Sequence, residues 1–160
     1  MSNKKTNKKN KILAVSSFGG HWVQLSRIVQ PLEQDYDISY ICTNKKSSTM
    51  AHGKHVYNIM DFSRWNAWRM VPSFFNIFYV LIKERPDTVL STGAAPGFLV
   101  LVVAKFLFLR KTIWIDSLAN AYKLSFCGKL AAKMPIDHVY TQWEHLSNDR
   151  VKYAGNTLGC

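Results

Sequence analysis

Residues 85–97 read RPDTVLSTGAAPG, and this stretch decides the fold. Arg85-Pro86-Asp87 ends a helical pattern, because proline does not continue a helix. Residues 88–91 form a short apolar run typical of a buried strand, and the small residues at 92–97 are typical of a turn. An apolar helical pattern follows at 98–109. This order of strand, turn and helix predicts one unit of an α/β fold.

The same alternation continues on both sides of that stretch. Strand patterns lie at residues 12–16, 37–43, 55–60, 112–116 and 136–141, and helical patterns at 21–30, 65–83 and 125–134, the second with a kink expected at Pro72. Repeated units of this kind predict a Rossmann-like parallel sheet with helices on both faces. We expect one domain at 12–150, a basic flexible leader at 1–11 and a C-terminal tail at 151–160.

Composition narrows the class of protein. The chain has 160 residues, 48% of them hydrophobic, and a formal net charge of +11. This excess of positive charge indicates a polyanionic partner: nucleic acid, an anionic membrane surface or a phosphorylated ligand. The three cysteines lack metal-ligand spacing, so no metal site is predicted. No uninterrupted apolar stretch reaches the roughly 20 residues of a membrane-spanning helix.

Two small-residue loops stand where parallel strands end. Ligands of such folds bind beyond the carboxyl ends of the strands, which selects the loops at 17–21, 92–97 and 117–123. Glycines allow a close backbone approach, and the free amides of a helix start favour an anion. Two such loops predict a site for a diphosphate; the alternative is a pair of turns whose small residues only permit packing. The candidate binding residues are Ser17, Gly19, Gly20, Ser91, Thr92, Gly93, Ala94 and Gly97.

Two titratable residues at this edge are candidates for catalysis. His21 follows the first glycine pair, and Asp116 ends the strand pattern at 112–116. Either side chain has the chemistry of a general base, and we favour Asp116, with His21 contacting the diphosphate. The alternatives are a structural histidine and an aspartate that caps the next segment of the chain. Gln142, Trp143 and Glu144 follow the last strand pattern and form a candidate sugar platform or partner surface, unless Trp143 is a core residue.

Residues 65–83 have the pattern of a helix at a membrane interface. A narrow polar stripe at helical spacing contains Asn66, Arg69, Ser73, Asn76 and Lys83, and most other side chains are aromatic or aliphatic. Such a helix can lie in the interface with Trp65 and Trp68 at headgroup level. The alternative is a core helix with one exposed stripe. An anionic leaflet would also attract the leader lysines, Lys4, Lys5, Lys8 and Lys9.

Four segments together resemble a known family. SSFGGHW, RPDTVLSTGAAPG, IDSLAN and YTQWEHLS, within residues 12–147, are similar to the membrane-anchoring subunit of two-component glycosyltransferases. That family acts in the dolichol pathway and in bacterial capsule and exopolysaccharide synthesis. The same loops resemble, more distantly, the N-terminal domain of the peptidoglycan N-acetylglucosaminyltransferase.

The resemblance implies a fold and a function. The fold would equal the N-terminal half of a GT-B glycosyltransferase, which binds a polyprenyl-diphosphate-linked sugar acceptor. A separate catalytic subunit would bind the UDP-sugar, and this chain would be inactive alone and would need no cofactor. The expected location is the cytoplasmic face of the cell membrane, as a peripheral or monotopic protein. Two departures are notable: a lysine-rich leader replaces the transmembrane helix of eukaryotic members, and relatives often have glutamate at the position of Asp116.

Two other functions remain as alternatives. An NADP-binding Rossmann oxidoreductase fits the fold, and Lys45 and Lys46 could accept its 2′-phosphate, but the chain lacks a GxGxxG motif. A basic nucleic-acid-binding module fits the net charge alone. Because the lysines cluster in the leader and no binding motif is present, we expect no nucleic-acid partner.

Overall fold

One parallel sheet of seven strands forms the centre of the protein. The computed structural model describes residues 9–47, 51 and 53–158, without the side chain of Arg64. The strands are β1 (Lys11–Ser16), β2 (Asp37–Cys42), β3 (Val56–Asn58), β4 (Thr88–Ser91), β5 (Lys111–Ile115), β6 (His138–Thr141) and β7 (Val151–Tyr153). Their order is β3-β2-β1-β4-β5-β6-β7, and each neighbouring pair is parallel. The Rossmann-like α/β fold predicted from the sequence is confirmed.

Helices cover both faces of this sheet. They are α1 (Gly20–Val29), α2 (Met70–Glu84), α3 (Ala94–Phe108) and α4 (Phe126–Lys133), with short 3-10 segments at Gln30–Gln34, Arg64–Arg69 and Glu144–Leu146. α1 packs on one face through Trp22, Leu25 and Val29. α2, α3 and α4 pack on the other face. The predicted helices on both faces are therefore present.

The core follows from the alternation of side chains along the strands. In β1, Leu13 and Val15 point to the face of α2 and α3, whereas Ile12 and Ala14 point to α1. Each fully buried aliphatic or aromatic side chain contributes about 1.5–3 kcal/mol. Because both faces are covered, the central strands are apolar on both sides, which is typical of parallel sheets.

α3 begins four residues earlier than the sequence pattern predicted. Gly93 is its N-cap, with φ of 141°, and Ala94 has a positive φ of 65°. Pro96 lies in the first turn, where a missing amide hydrogen costs nothing. The expected turn at 92–97 is therefore mostly the start of a helix, and the ligand-facing backbone is shorter than the sequence suggested.

The predicted helix at 65–83 is interrupted, and the expected kink at Pro72 is wrong. Asn66 has non-helical angles of φ −133° and ψ 44°, within the 3-10 segment that precedes α2. The side chain of Ser63 accepts a hydrogen bond from the amide of Trp65, and Asn66 Oδ1 accepts one from the amide of Ser63 at 2.6 Å. Pro72 lies in the first turn of α2 and is tolerated there.

α2 has apolar side chains on its exposed side as well as on its buried side. Ser73 of the supposed polar stripe is buried, and its hydroxyl donates to the carbonyl of Met60 at 3.3 Å. Asn76 and Lys83 are exposed as predicted, and so are six large apolar side chains, Met70, Val71, Phe75, Phe78, Tyr79 and Ile82. The predicted polar stripe is therefore corrected at Ser73, which is buried.

A buried carboxylate fastens the end of α2 to the sheet. Glu84 accepts hydrogen bonds from Lys11 Nζ at 2.7 Å, from Ser39 Oγ at 3.0 Å and from the hydroxyl of Tyr57. Burial opposes its ionisation, but these hydrogen bonds outweigh burial and hold the pKa of Glu84 below its usual value. The cluster lies at the edge opposite the carboxyl ends of the strands.

The segment after residue 150 is part of the sheet. Val151 is buried and pairs with Val139 of β6, so the tail predicted at 151–160 is corrected. The guanidinium of Arg150 donates to the carbonyls of Ala132 and Met134 at 3.1 and 2.8 Å, which fixes the entry to β7. β7 has three residues, two of them with exposed side chains, so its hydrophobic pattern is too short to predict a strand.

Candidate functional site

Three loops meet at the carboxyl edge of the sheet and enclose a cavity of about 300 Å³. The loop after β1 contributes His21, the loop after β4 contributes Gly93 and Ala94, and the loop after β5 begins with Asp116. The structure thus brings together both candidate catalytic residues and part of the candidate diphosphate set, at the edge where parallel sheets bind ligands.

His21 is held in one orientation. A Cβ atom added to Gly93 would lie 2.5 Å from Cε1 of the imidazole, so only glycine leaves room for the ring. Nδ1 of His21 lies 3.1 Å from the carbonyl oxygen of Thr92, and Thr92 Oγ1 donates to the carbonyl of His21 at 3.0 Å. A carbonyl oxygen only accepts, so Nδ1 is the protonated nitrogen. In the neutral imidazole, Nε2 then carries the lone pair.

The first glycine turn is open. Gly19 is the N-cap of α1 with φ of 101°, no side chain caps this helix, and a Cβ on Gly19 or Gly20 would meet nothing within 4 Å. Ser17 is buried beneath it, and the amide of Phe18 donates to Thr43 Oγ1 at 3.1 Å. The amides at the start of α1 have no side-chain cap, so the prediction that they bind an anion stays a prediction.

The second turn is mostly internal. Ser91 and Thr92 are fully buried, and a Cβ on Gly97 would lie 2.1 Å from Ser91 Oγ. Ser91 and Gly97 therefore pack β4 against α3, as in the packing alternative. Gly93 and Ala94 are the members of this loop that line the cavity.

Asp116 is buried, with 1% of its surface exposed. Its Oδ1 accepts from Trp114 Nε1 at 3.2 Å and from Ser125 Oγ at 2.5 Å, and Oδ2 accepts from the amide of Ser125 at 2.8 Å. Its carbonyl accepts from the side-chain amides of Gln24 and Gln142 at 3.3 and 2.9 Å. The carboxylate is thus fixed by structural contacts, as the capping alternative expected.

Other residues of the cavity wall were missed by the sequence analysis. Ser117 and Asn120 come from the third loop, which the edge rule had selected, and Phe126 and Cys127 come from the start of α4. Burial and, secondly, the charge of Asp116 raise the pKa of the Cys127 thiol, so it stays protonated at neutral pH. No sequence signal pointed to Phe126.

The expected sugar platform after β6 does not line this cavity. Gln142 is buried, and its Oε1 accepts from the amide and hydroxyl of Thr157 at 2.9 and 2.8 Å. Trp143 Nε1 donates to the carbonyl of Leu118 at 2.8 Å, which braces the third loop. Glu144 is exposed and begins a 3-10 segment.

An apolar surface covers the outside of α2 and its neighbours. Trp65 and Trp68 are 84% and 67% exposed, and the guanidinium of Arg69 lies 5.4 Å from the Trp68 ring. Phe106, Leu107 and Leu109 at the end of α3 extend this surface. Lys9 is exposed and donates to the carbonyl of Gln34, whereas Lys4, Lys5 and Lys8 lie outside the described residues.

Neither a metal cluster nor a membrane-spanning helix is found in the part of the chain that the structure describes. Within residues 9–47, 51 and 53–158, no group of three or more histidine, cysteine, aspartate or glutamate side chains could hold a metal ion. In the same residues, every helix is too short or too polar to cross a bilayer.

Solved structures share this fold. MurG from Acinetobacter baumannii superposes with a TM-score of 0.76 at 12% identity, covering 92% of this chain and 46% of MurG. UDP-N-acetylglucosamine 2-epimerase from Rickettsia bellii gives 0.70 at 15% identity, covering 94% and 46%. At such identities the likeness concerns the fold alone, and the chain spans about half the length of these proteins. The sheet and its helices match the N-terminal half of a GT-B glycosyltransferase.

The sequence comparisons identify a family. A search of curated protein sequences gives no match. The family model described as oligosaccharide biosynthesis protein Alg14 like matches residues 12–157. Because this match spans nearly all of the described residues, the chain belongs to the Alg14-like family of oligosaccharide biosynthesis proteins.

Proposed function

We propose that this chain is the acceptor-binding subunit of a two-subunit glycosyltransferase and is inactive without a partner that binds the UDP-sugar. Family membership supports a glycosyltransferase-associated subunit of lipid-linked oligosaccharide synthesis. The observation that carries the proposal is the cavity at the carboxyl edge of the sheet, within a Rossmann-like domain whose fold matches 46% of the MurG structure. The product would be a lipid-linked oligosaccharide or a capsule or exopolysaccharide precursor.

The acceptor diphosphate binds between the two helix starts. α1 and α3 both begin at this edge with glycine N-caps and no side-chain cap. Their first amides and helix dipoles favour an anion, and two starts on neighbouring strands suit the two phosphates of a polyprenyl diphosphate. Gly19, Gly20, Gly93 and Ala94 supply the backbone of this site, and Ser91 and Gly97 support it from below.

His21 is the general base of this proposal. Nε2 removes the proton of the acceptor hydroxyl, the hydroxyl oxygen attacks the anomeric carbon of the donor sugar on the partner subunit, and UDP leaves with the bonding electron pair. The geometry favours His21 over Asp116 for two reasons. The hydrogen bond from Nδ1 to the carbonyl of Thr92 leaves Nε2 of His21 to accept a proton, and the side chain of Asp116 is almost inaccessible. This assignment reverses the preference drawn from the sequence.

The exposed face of α2 anchors the subunit to the membrane. Its large apolar side chains lie beside Trp65 and Trp68, and the segment from Arg64 to Phe108 contains two acidic residues, Glu84 and Asp87. Glu84 is buried in the ion pair with Lys11, so the apolar face of α2 presents no carboxylate to an anionic leaflet. Together with the leader lysines, this surface suits peripheral or monotopic binding at the cytoplasmic face.

Reconstitution tests the partnership. The purified chain, a UDP-sugar-binding partner subunit from the same cell and a prenyl-diphosphate-linked sugar are combined with a radiolabelled UDP-sugar, with and without each protein. We expect transfer only when both proteins are present. Robust transfer by the isolated chain would contradict the split-enzyme proposal.

Sedimentation with vesicles tests the anchor. Vesicles of phosphatidylcholine with 30% phosphatidylglycerol, chosen as the probe, should bind the wild-type chain at low salt. Deletion of residues 1–10 should weaken binding mainly at low salt, because charge attraction is screened. Replacement of Trp65 and Trp68 by alanine should weaken binding at all salt concentrations, whereas Tyr153→Ala, an exposed aromatic on β7, serves as the control. Unchanged binding of the tryptophan variant would exclude this face.

A further inference from the structure

Three residues of the cavity wall, which come from the third loop and the start of α4, have the chemistry of a sugar-binding surface. Phe126 is 71% exposed at the rim, and Ser117 and Asn120 line the same cavity. The side-chain amide of Asn120 makes no hydrogen bond with any other described residue, so its donors and acceptor are available. An exposed aromatic ring beside a free amide and a hydroxyl matches a pyranose, which has an apolar C–H face and polar edges.

We propose that Phe126 and Asn120 bind the acceptor sugar that is attached to the diphosphate, and that Asp116 positions Phe126. This inference rests on the proposed function, because the starts of α1 and α3 hold the diphosphate. A cavity of about 300 Å³ is small, so a sugar linked to that diphosphate must contact the remaining wall, formed by the third loop and the start of α4. Phe126 stacks on the ring, and Asn120 bonds its substituents.

The buried carboxylate explains why Phe126 stands at the rim. Asp116 accepts from both the amide and the hydroxyl of Ser125, and Ser125 Oγ in turn accepts from the amide of Gly128 as the N-cap of α4. A Cβ on Gly128 would lie 2.7 Å from Oδ1, so glycine allows α4 to approach the carboxylate this closely. Asp116 therefore fixes the first turn of α4, where Phe126 is the first residue. Asp116 is a positioning residue, not the base.

Binding of two matched probes tests the sugar subsite. The probes are geranyl diphosphate and the same molecule with one N-acetylglucosamine on its terminal phosphate, titrated into the full isolated chain by calorimetry. We expect the wild type to bind the glycosylated probe roughly threefold to tenfold more tightly, the range of one aromatic contact. Phe126→Ala should abolish this preference and leave the affinity for geranyl diphosphate unchanged, while Phe126→Trp should keep it.

Two controls separate the possible failures. Tyr122→Ala removes a neighbouring aromatic that is 95% exposed and does not line the cavity, and it should leave both affinities unchanged. Equal affinity of the wild type for both probes, or equal losses for both in Phe126→Ala, would overturn the subsite while the diphosphate site stands. No binding of either probe would overturn the diphosphate site and this inference with it.

The positioning role of Asp116 has its own readout. In the reconstituted pair, Asp116→Asn should raise the KM for the glycosylated acceptor and change kcat less than threefold, and Ser125→Ala should do the same in weaker form. A loss of 100-fold or more in kcat at constant KM, in a variant whose circular dichroism is unchanged, would restore Asp116 as the base and overturn the positioning role.

Discussion

Gly19 and Gly93 each precede a helix at the carboxyl edge of the sheet, and both have positive φ, 101° and 141°. A Cβ on Gly19 would meet nothing within 4 Å, whereas a Cβ on Gly93 would lie 2.5 Å from the ring of His21. The two turns are both glycine-containing helix starts, but the surroundings of their glycines differ. The first turn has open space beside it, where we propose that the ligand binds, and the second leaves space for the side chain of His21.

The largest effect is expected for His21, the residue on which the two turns converge. His21→Ala should lower kcat of the reconstituted pair by about 10²- to 10⁴-fold, because the proposed base is lost. Stability should fall by only about 0.5–1.5 kcal/mol, for the lost hydrogen bond to Thr92. Steady-state kinetics and thermal unfolding measure both quantities. A kcat within a few-fold of the wild type would place the base on the partner subunit.

Gly93→Ala should lower kcat mainly by displacing His21, and we expect a loss no larger than that of His21→Ala. The substitution strains a backbone with φ of 141° and displaces the imidazole, and it should cost about 1–3 kcal/mol of stability. The double variant Gly93→Ala/His21→Ala removes the ring that causes the clash. It should regain part of the stability but none of the activity. If the double variant is less stable than the single one, the ring does not press against Gly93.

Gly19→Ala should strain the backbone, but unlike Gly93→Ala it should cause no steric clash with another side chain. Alanine at φ of 101° costs about 1–2 kcal/mol, which lowers Tm by roughly 2–8 °C in a domain of this size. Gly155→Ala is the matched control, with φ of 98° and nothing within 4 Å of its added Cβ. Both variants should lower Tm similarly, but only Gly19→Ala should raise the acceptor KM. Equal KM values would mean that the first turn does not bind the acceptor.

The smallest effect is expected for Gly20→Ala. Gly20 is the first residue of α1, lacks a positive φ and has open space around its Cβ position. Alanine should stabilise the helix by up to about 1 kcal/mol, measured by denaturant unfolding. Because Gly20 belongs to the proposed diphosphate site, a modest rise in acceptor KM should accompany it. Destabilisation would show that the turn needs glycine here for its own conformation.

The sequence predicted the sheet and its ligand edge well, because these depend on local periodicity. It predicted the first six strands and their alternation with helices, and it selected the three loops that meet at the cavity. It missed β7, whose three residues carry a single buried side chain. It also placed the start of α3 at residue 98, since the positive φ values of Gly93 and Ala94 are not visible as a pattern.

The sequence did not predict which candidate residues face the cavity, because that depends on tertiary contacts that no local pattern contains. Ser91 and Gly97 belong to the same small-residue stretch as Gly93, yet they face the interior, because β4 packs tightly against α3. The preference for Asp116 as base relied on its position at a strand end. Only the folded chain brings Ser125, nine residues later, onto its carboxylate. Phe126 has no sequence signal because its exposure at the rim depends on that contact.

The central place of β1 has a consequence for how the chain folds. β1 pairs with β2, which follows it closely, and with β4, so that Ile12 meets Thr88. Non-local pairing of this kind slows folding, because a long loop must close before its contacts form. During synthesis, β1 to β3 emerge first and leave one side of β1 unpaired until β4 appears. That unpaired side is a template for association between nascent chains. When the full chain refolds, the shorter loop between β1 and β2 should close first, so pulsed amide exchange should find the amides of β2 protected before those of β4.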